Sequence, residues 1–115
     1  MNPINLVYIC SPLRGDIERN ISRANGYCRF ATTQGVVPLA PHTIFTQFLD
    51  DEISEEREIG LQMGLELLKH CTELYVFGDW VTDGMLGEME AAKRLGIPIQ
   101  YYSNRCERRE NRDEQ

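Results

Sequence analysis

The chain has 115 residues, 42% hydrophobic and 26% charged, which is one globular domain's worth of sequence. Twelve basic against eighteen acidic residues leave a net charge of −6, the wrong sign for a duplex nucleic-acid binder. No apolar run approaches the roughly 20 residues that a membrane span needs.

The opening, Met1-Asn2-Pro3-Ile4-Asn5, lacks the basic-then-apolar layout of a signal peptide. Leu6-Val7-Tyr8-Ile9-Cys10 follows as a continuous apolar run and ends at the turn-rich Ser11-Pro12-Leu13-Arg14-Gly15-Asp16, the pattern of a buried strand and a loop. Ile17, Ile21, Ala24, Cys28 and Ala31 then recur at helical spacing and define one face of a helix that Gln34-Gly35 ends. Val36-Val37-Pro38-Leu39 is a second short strand, and Pro38 places it at an edge or a strand end. The segment from Ala40 to Asp51 carries His42, Phe45, Phe48 and Leu49 and is long for a simple strand-to-helix loop, which points to function.

A second helix is expected from Ser54 to His70, with Ser54 as N-cap and Glu55 and Glu56 at its positive end. Gly60 and Gly64 lie four apart on one face of it. Each costs about 1 kcal/mol against alanine, so something must approach closely there: a backbone, a ligand or a second subunit. Glu73-Leu74-Tyr75-Val76-Phe77 is a third strand, Gly78 to Asp83 a loop, and Gly84 to Leu95 a third helix stopped by Gly96. Ile97 to Tyr102 is a fourth strand, and Ser103 to Gln115, with four Arg and four acidic residues, reads as a disordered charged tail. The alternation gives a small three-layer α/β/α sandwich in residues 1–102, Rossmann- or flavodoxin-like, with four parallel strands in the order 2-1-3-4. The four cysteines, Cys10, Cys28, Cys71 and Cys106, form no CxxC pair and read as reduced thiols of a cytoplasmic protein.

In such sheets ligands bind beyond the carboxyl ends of the strands. Ser11 to Asp16, Ala40 to Asp51 and Gly78 to Glu88 should therefore converge. In the first, Ser11, Arg14 and Gly15 stand just before a helix start and suit an anion, although the GK[ST] ending of a P-loop is absent; an ordinary turn with an exposed Arg explains them equally well. In the third, Glu88 shares the stripe of Met85, Ala91 and Ala92, whereas Glu90 points away. A carboxylate on the inner face near a helix start is poised for nucleophilic or acid–base work, or else caps the helix. His42 with Asp50 and Asp51 shows no metal-ligand spacing, and the acidic run reads as solvated charge. Tyr8, Tyr27, Phe45 and Phe48 read as core; Trp80, in an edge loop, is a candidate for stacking on a base.

Val7-Tyr8-Ile9-Cys10-Ser11-Pro12-Leu13-Arg14-Gly15 resembles the opening of the nucleoside 2-deoxyribosyltransferase superfamily, which includes 2′-deoxynucleoside 5′-monophosphate N-hydrolases. Gly84-Met85-Leu86-Gly87-Glu88-Met89 resembles the block that carries the superfamily's nucleophilic glutamate. The chain to Tyr102 is more closely similar to an uncharacterised bacterial and phage domain family of that clan, through Ala40-Pro41-His42, Phe48-Leu49-Asp50-Asp51, Glu56-Arg57-Glu58-Ile59-Gly60 and Val76-Phe77-Gly78. The resemblance implies that Glu88 attacks C1′ of a deoxynucleoside as the base leaves, forming a glycosyl ester resolved by water or a second base. It implies a catalytic set of Glu88, Asp83 and His42, and a substrate-binding set of Tyr8, Ser11, Arg14, Gly15, Thr82, Gly84 and Trp80, with no metal and no cofactor. Thr82 stands where the monophosphate hydrolases carry a phosphate-contacting serine and favours a nucleotide. The chain departs from the enzymes where they place an aspartate late in the preceding helix: Gly64, or near it Met63, stands there, with Glu66 and Asp83 as nearby acids and His42 as a substitute for the proton transfer.

The resulting expectation is an N-glycosidic bond enzyme, hydrolase or deoxyribosyl transferase, acting on a deoxynucleoside 5′-monophosphate or related nucleotide through Glu88, with a small-molecule nucleoside or nucleotide and a second copy in a homodimer as its partners. The alternative is a non-catalytic nucleotide-binding module. A redox or phosphorelay flavodoxin-like domain ranks third, since the first strand ends in Cys10-Ser11 without a phosphoacceptor aspartate.

Overall fold

The computed structural model describes residues 4–110. Its elements in chain order are β1 (Leu6–Cys10), α1 (Ile17–Thr33), β2 (Val37–Leu39), α2 (Pro41–Phe45), α3 (Ser54–Leu68), β3 (Glu73–Phe77), α4 (Asp83–Arg94), β4 (Ile99–Tyr102) and β5 (Arg108–Arg109). The sheet runs β2-β1-β3-β4-β5. The first four strands are parallel, with β2 at one edge as Pro38 requires.

Alternation along the central strands builds two cores. Tyr8 and Cys10 of β1 and Leu74 and Val76 of β3 face Leu68 of α3 and Met85, Met89 and Ala92 of α4. Val7 and Ile9, with Phe77 and Tyr102, face Tyr27 and Ala31 of α1. The Tyr27 ring stacks on Phe77 at 4.3 Å between centroids, which fixes α1 over the middle of the sheet. Glycines at positive φ, Gly35 and Gly96, end α1 and α4.

Three boundaries differ from the sequence expectation. The segment after β2 is not all loop: Pro41 starts the short helix α2 at its first position. The N-cap of α3 is Ile53, not Ser54, and makes no side-chain cap bond; Glu56 Oε1 instead accepts from the Asp50 backbone N–H at 2.9 Å, tying the preceding turn to the helix. The charged segment after β4 turns back at Cys106, φ 63°, and pairs Arg108 and Arg109 antiparallel with Tyr102 and Tyr101 as a fifth strand. Ser103 Oγ accepts from the backbone N–H groups of Arg105 and Glu107, and Arg109 Nη1 lies 3.0 Å from Asp79 Oδ1. The expected tail is thus ordered through residue 110; residues 111–115 lie outside the described residues. No helix among the described residues is long and apolar enough to cross a membrane.

Candidate functional site

β1, β3 and α4 bring Tyr8, Cys10 and Glu88 together beneath a cleft of about 780 Å³. The cleft is walled by α3 and α4 and closed at one end by the β1–α1 turn and the Ala40–Asp51 segment. Tyr8, Ser11, Arg14, His42, Asp51, Gly64, Thr82, Asp83, Gly84 and Glu88 all line it.

Glu88 is buried while Glu90 is exposed, as their places on the α4 stripe require. The Tyr8 hydroxyl donates a short hydrogen bond to Glu88 Oε2, and the Cys10 thiol lies 3.4 Å from Oε1. Burial pushes the Glu88 pKa up to about 7, against the lowering effect of these two donors. The Tyr8 phenol and the Cys10 thiol are themselves raised well above their ordinary values, first by burial and then by the Glu88 charge. Both therefore stay protonated and serve Glu88 as donors. Near neutrality the carboxylate takes up or loses a proton easily, and its ionised form is held in one orientation by two fixed contacts.

Tyr8 reaches Glu88 because α3 carries no side chain opposite it. A Cβ on Gly64 would stand 3.0 Å from the Tyr8 hydroxyl oxygen. The close approach expected at Gly64 is thus made by a tyrosine hydroxyl, whereas a Cβ on Gly60 would meet only Leu49 Cδ1 at an ordinary 3.7 Å.

Next along the chain from Cys10, the Ser11 hydroxyl is buried and takes no hydrogen bond among the described residues. His42 packs against it, with its ring bonded to the Ser11 backbone and Asp51 nearby, and burial lowers the imidazole pKa below its ordinary value. Arg14 is 65% exposed and its Nε lies 3.3 Å from Asp51 Oδ2. Asp50 Oδ1 accepts from the Glu52 N–H and Arg57 Nη1 donates to the Asp51 carbonyl, so the acidic run is a built turn that turns Asp51 inward while Asp50 and Glu52 stay exposed.

Thr82 is the N-cap of α4, its hydroxyl oxygen accepting from the Met85 N–H at 3.3 Å. Asp83 and Gly84 open the helix and stand exposed on the cleft wall. Two expected substrate residues fall outside the lining: Trp80 is 72% exposed, and Gly15 sits at the β1–α1 turn with φ 100°. Trp80 is carried outward by the turn that follows Gly78, itself at φ 120°. Cys10 and Asp51, which the sequence offered only as a reduced thiol and as part of a charged run, join the site; no sequence signal singled out Cys10, since a thiol two residues after Tyr8 in an apolar strand reads as core. No group of three His, Cys, Asp or Glu placed to hold a metal occurs among the described residues.

A family model described as a domain of unknown function, DUF7768, matches residues 5–102. Among curated proteins none matches the sequence. Among solved structures, the fold is similar to that of a 2-deoxyribosyltransferase from Bacillus psychrosaccharolyticus, with TM-score 0.61 and 24% identity over 85% of this chain and 72% of that one. The chain belongs to the DUF7768 family, and its α/β sandwich is the one in which that transferase is built.

Proposed function

We propose that this DUF7768 chain is an N-glycosidic bond enzyme acting on a 2′-deoxynucleoside or deoxynucleotide, with Glu88 as nucleophile. The observation that carries the reading is the buried Glu88 carboxylate, clamped by Tyr8 and Cys10 at the base of a cleft large enough to admit a small-molecule substrate. The likeness to a 2-deoxyribosyltransferase supports it.

In this mechanism one Glu88 oxygen attacks C1′ of the sugar. The C1′–N bond breaks, its electron pair leaves with the base, and the base takes a proton relayed from solvent by Asp83, which lines the same wall. The ester formed is then opened by water, which gives hydrolysis, or by the nitrogen of a second base, which gives transfer. The Tyr8 and Cys10 donors hold Glu88 for attack and stabilise it again as leaving group. His42 donates a ring N–H to the Ser11 backbone and positions that turn rather than acting as the acid, because burial favours its neutral form. No cofactor enters this chemistry. A reducing compartment such as the cytoplasm suits the free thiols, with Cys10 at the site itself.

The test is chromatographic detection of free base from a panel of ribo- and deoxynucleosides, their 5′-monophosphates and NAD. Release from at least one compound is expected, falling at least about 10³-fold in Glu88→Gln while ligand binding persists. A folded protein that a panel member stabilises, but that releases no base, would instead be a nucleotide-binding module, as the glycine at position 64 in place of an acid would suit.

A further inference from the structure

The β4–β5 hairpin is ordered without being part of the core. Both residues of β5 are exposed, while their β4 partners Tyr101 and Tyr102 are buried in the two cores. The turn is nonetheless built: Ser103 Oγ accepts from two backbone N–H groups, and Cys106 holds a φ of 63° that residues other than glycine seldom adopt. What the hairpin delivers is a guanidinium. Directly paired residues share a face of the sheet. Arg109, opposite Tyr101, therefore stands on the face that α3 and α4 cover, and Arg108, opposite Tyr102, on the face of α1. Arg109 Nη1 donates to Asp79 Oδ1 at 3.0 Å. Asp79 lies in the 78–82 loop, which has no regular structure and leads into the Thr82 cap of α4 and into Asp83 and Gly84 on the cleft wall. The loop's first residue is tied as well, the Gly78 N–H donating to the Tyr102 carbonyl at 3.1 Å. Both side chains of the ion pair are part-exposed, so it adds little to global stability; its effect is on where the loop stands.

We propose that Arg109 is a positioning residue of the site: through Asp79 it fixes the loop that opens α4, and so holds Asp83 where it can protonate the leaving base. The proposal rests on the glycosidic reading and adds to it a contact from the edge of the sheet. Glu88 does not depend on this tie, because Tyr8 and Cys10 hold it from β1. Loss of the Arg109–Asp79 contact should therefore slow the step that needs Asp83 and leave the nucleophile in place. A misplacement of about 1 Å in a group that transfers a proton is enough to cost tenfold or more in rate.

Base release and the fluorescence of Trp80, the chain's one tryptophan and the neighbour of Asp79, test this together. Arg109→Gln should lower kcat about tenfold with far less change in KM, and it should lower the steady-state anisotropy of Trp80 as the loop loosens. Asp79→Ala should reproduce both effects, and the two changes together should cost no more than either alone. Arg108→Gln removes the same charge from the same strand but from the opposite face, and should change neither reading. In an Asp83→Asn background Arg109→Gln should cost little further, because the group that it positions is gone. Indifference of kcat and anisotropy to Arg109→Gln, an equal loss in Arg108→Gln, or a full tenfold loss that persists in Asp83→Asn overturns the proposal and leaves the glycosidic reading intact. A folded native protein that releases no base from any panel compound overturns that reading, and the proposal with it.

Discussion

At the scale of single residues the site turns on one carboxylate held away from water. Its ordinary pKa of 4.5 rises to about 7 in the fold, and this has a consequence for stability that does not depend on catalysis. The unfolded chain releases the Glu88 proton near the ordinary value, while the folded chain keeps it until about 7. Between those values the native state binds more protons, so stability falls as pH rises through this window and is level above it. The difference in pKa corresponds to about 3 kcal/mol. Glu88→Gln removes the titration. Its stability relative to the native chain should therefore grow by about 3 kcal/mol between about pH 5 and about pH 8 in urea unfolding; a difference that stays constant with pH would mean that the carboxylate is not held in a desolvated site. Glu88 was legible in the sequence because helical spacing alone separates it from Glu90. The roles of Tyr8 and Cys10 were not, since a buried tyrosine and a buried thiol in an apolar strand read as core until the helix that faces them is known.

At the scale of elements, α3 is shaped by what it lacks. Gly64 leaves room for the Tyr8 hydroxyl, and Gly60, one turn earlier, has ordinary clearance. Alanine at either position gains about 1 kcal/mol of helix propensity. Gly60→Ala should keep that gain and raise the melting temperature by about 4 °C. Gly64→Ala should lose it, because the new methyl sits 3.0 Å from the hydroxyl that Glu88 depends on, and base release should fall with it. Paired melting curves and activity assays check this, and equal stabilisation by both changes would sink it. The sequence pattern showed two glycines at helical spacing but not which one a neighbour needs, because that neighbour comes from a strand more than fifty positions away. The same limit explains β5. Arg108 and Arg109 carry no apolar signal, and they are held by backbone pairing to β4 and by the Asp79 ion pair rather than by burial. The four parallel strands were legible because each is an apolar run flanked by turn residues.

At the scale of the whole molecule, α3 is poorly covered by its own chain. Only Gly64 and Leu68 of its fifteen residues are buried, whereas Leu61 and Leu65, one turn apart on one face, are 45% and 37% exposed, with Leu86 of α4 at 44%. Leu61 and Leu65 border the cleft. A second copy packed on this face would cover the apolar row and narrow the cleft mouth, so we expect a homodimer with a two-fold axis near the middle of α3. Antiparallel pairing of the two helices suits their charges, since Glu55 and Glu56 open α3 and Lys69 follows its end. Light scattering during size-exclusion chromatography should give twice the chain mass at about 50 µM. Leu61→Glu with Leu65→Glu should give the monomer, with the folded core intact because neither side chain is buried in it. Base release should then weaken through a higher KM, as the cleft loses its outer wall. A native chain that elutes as a monomer, or a double variant that stays dimeric, would place the interface elsewhere or remove it, and the exposed row on α3 would need another partner.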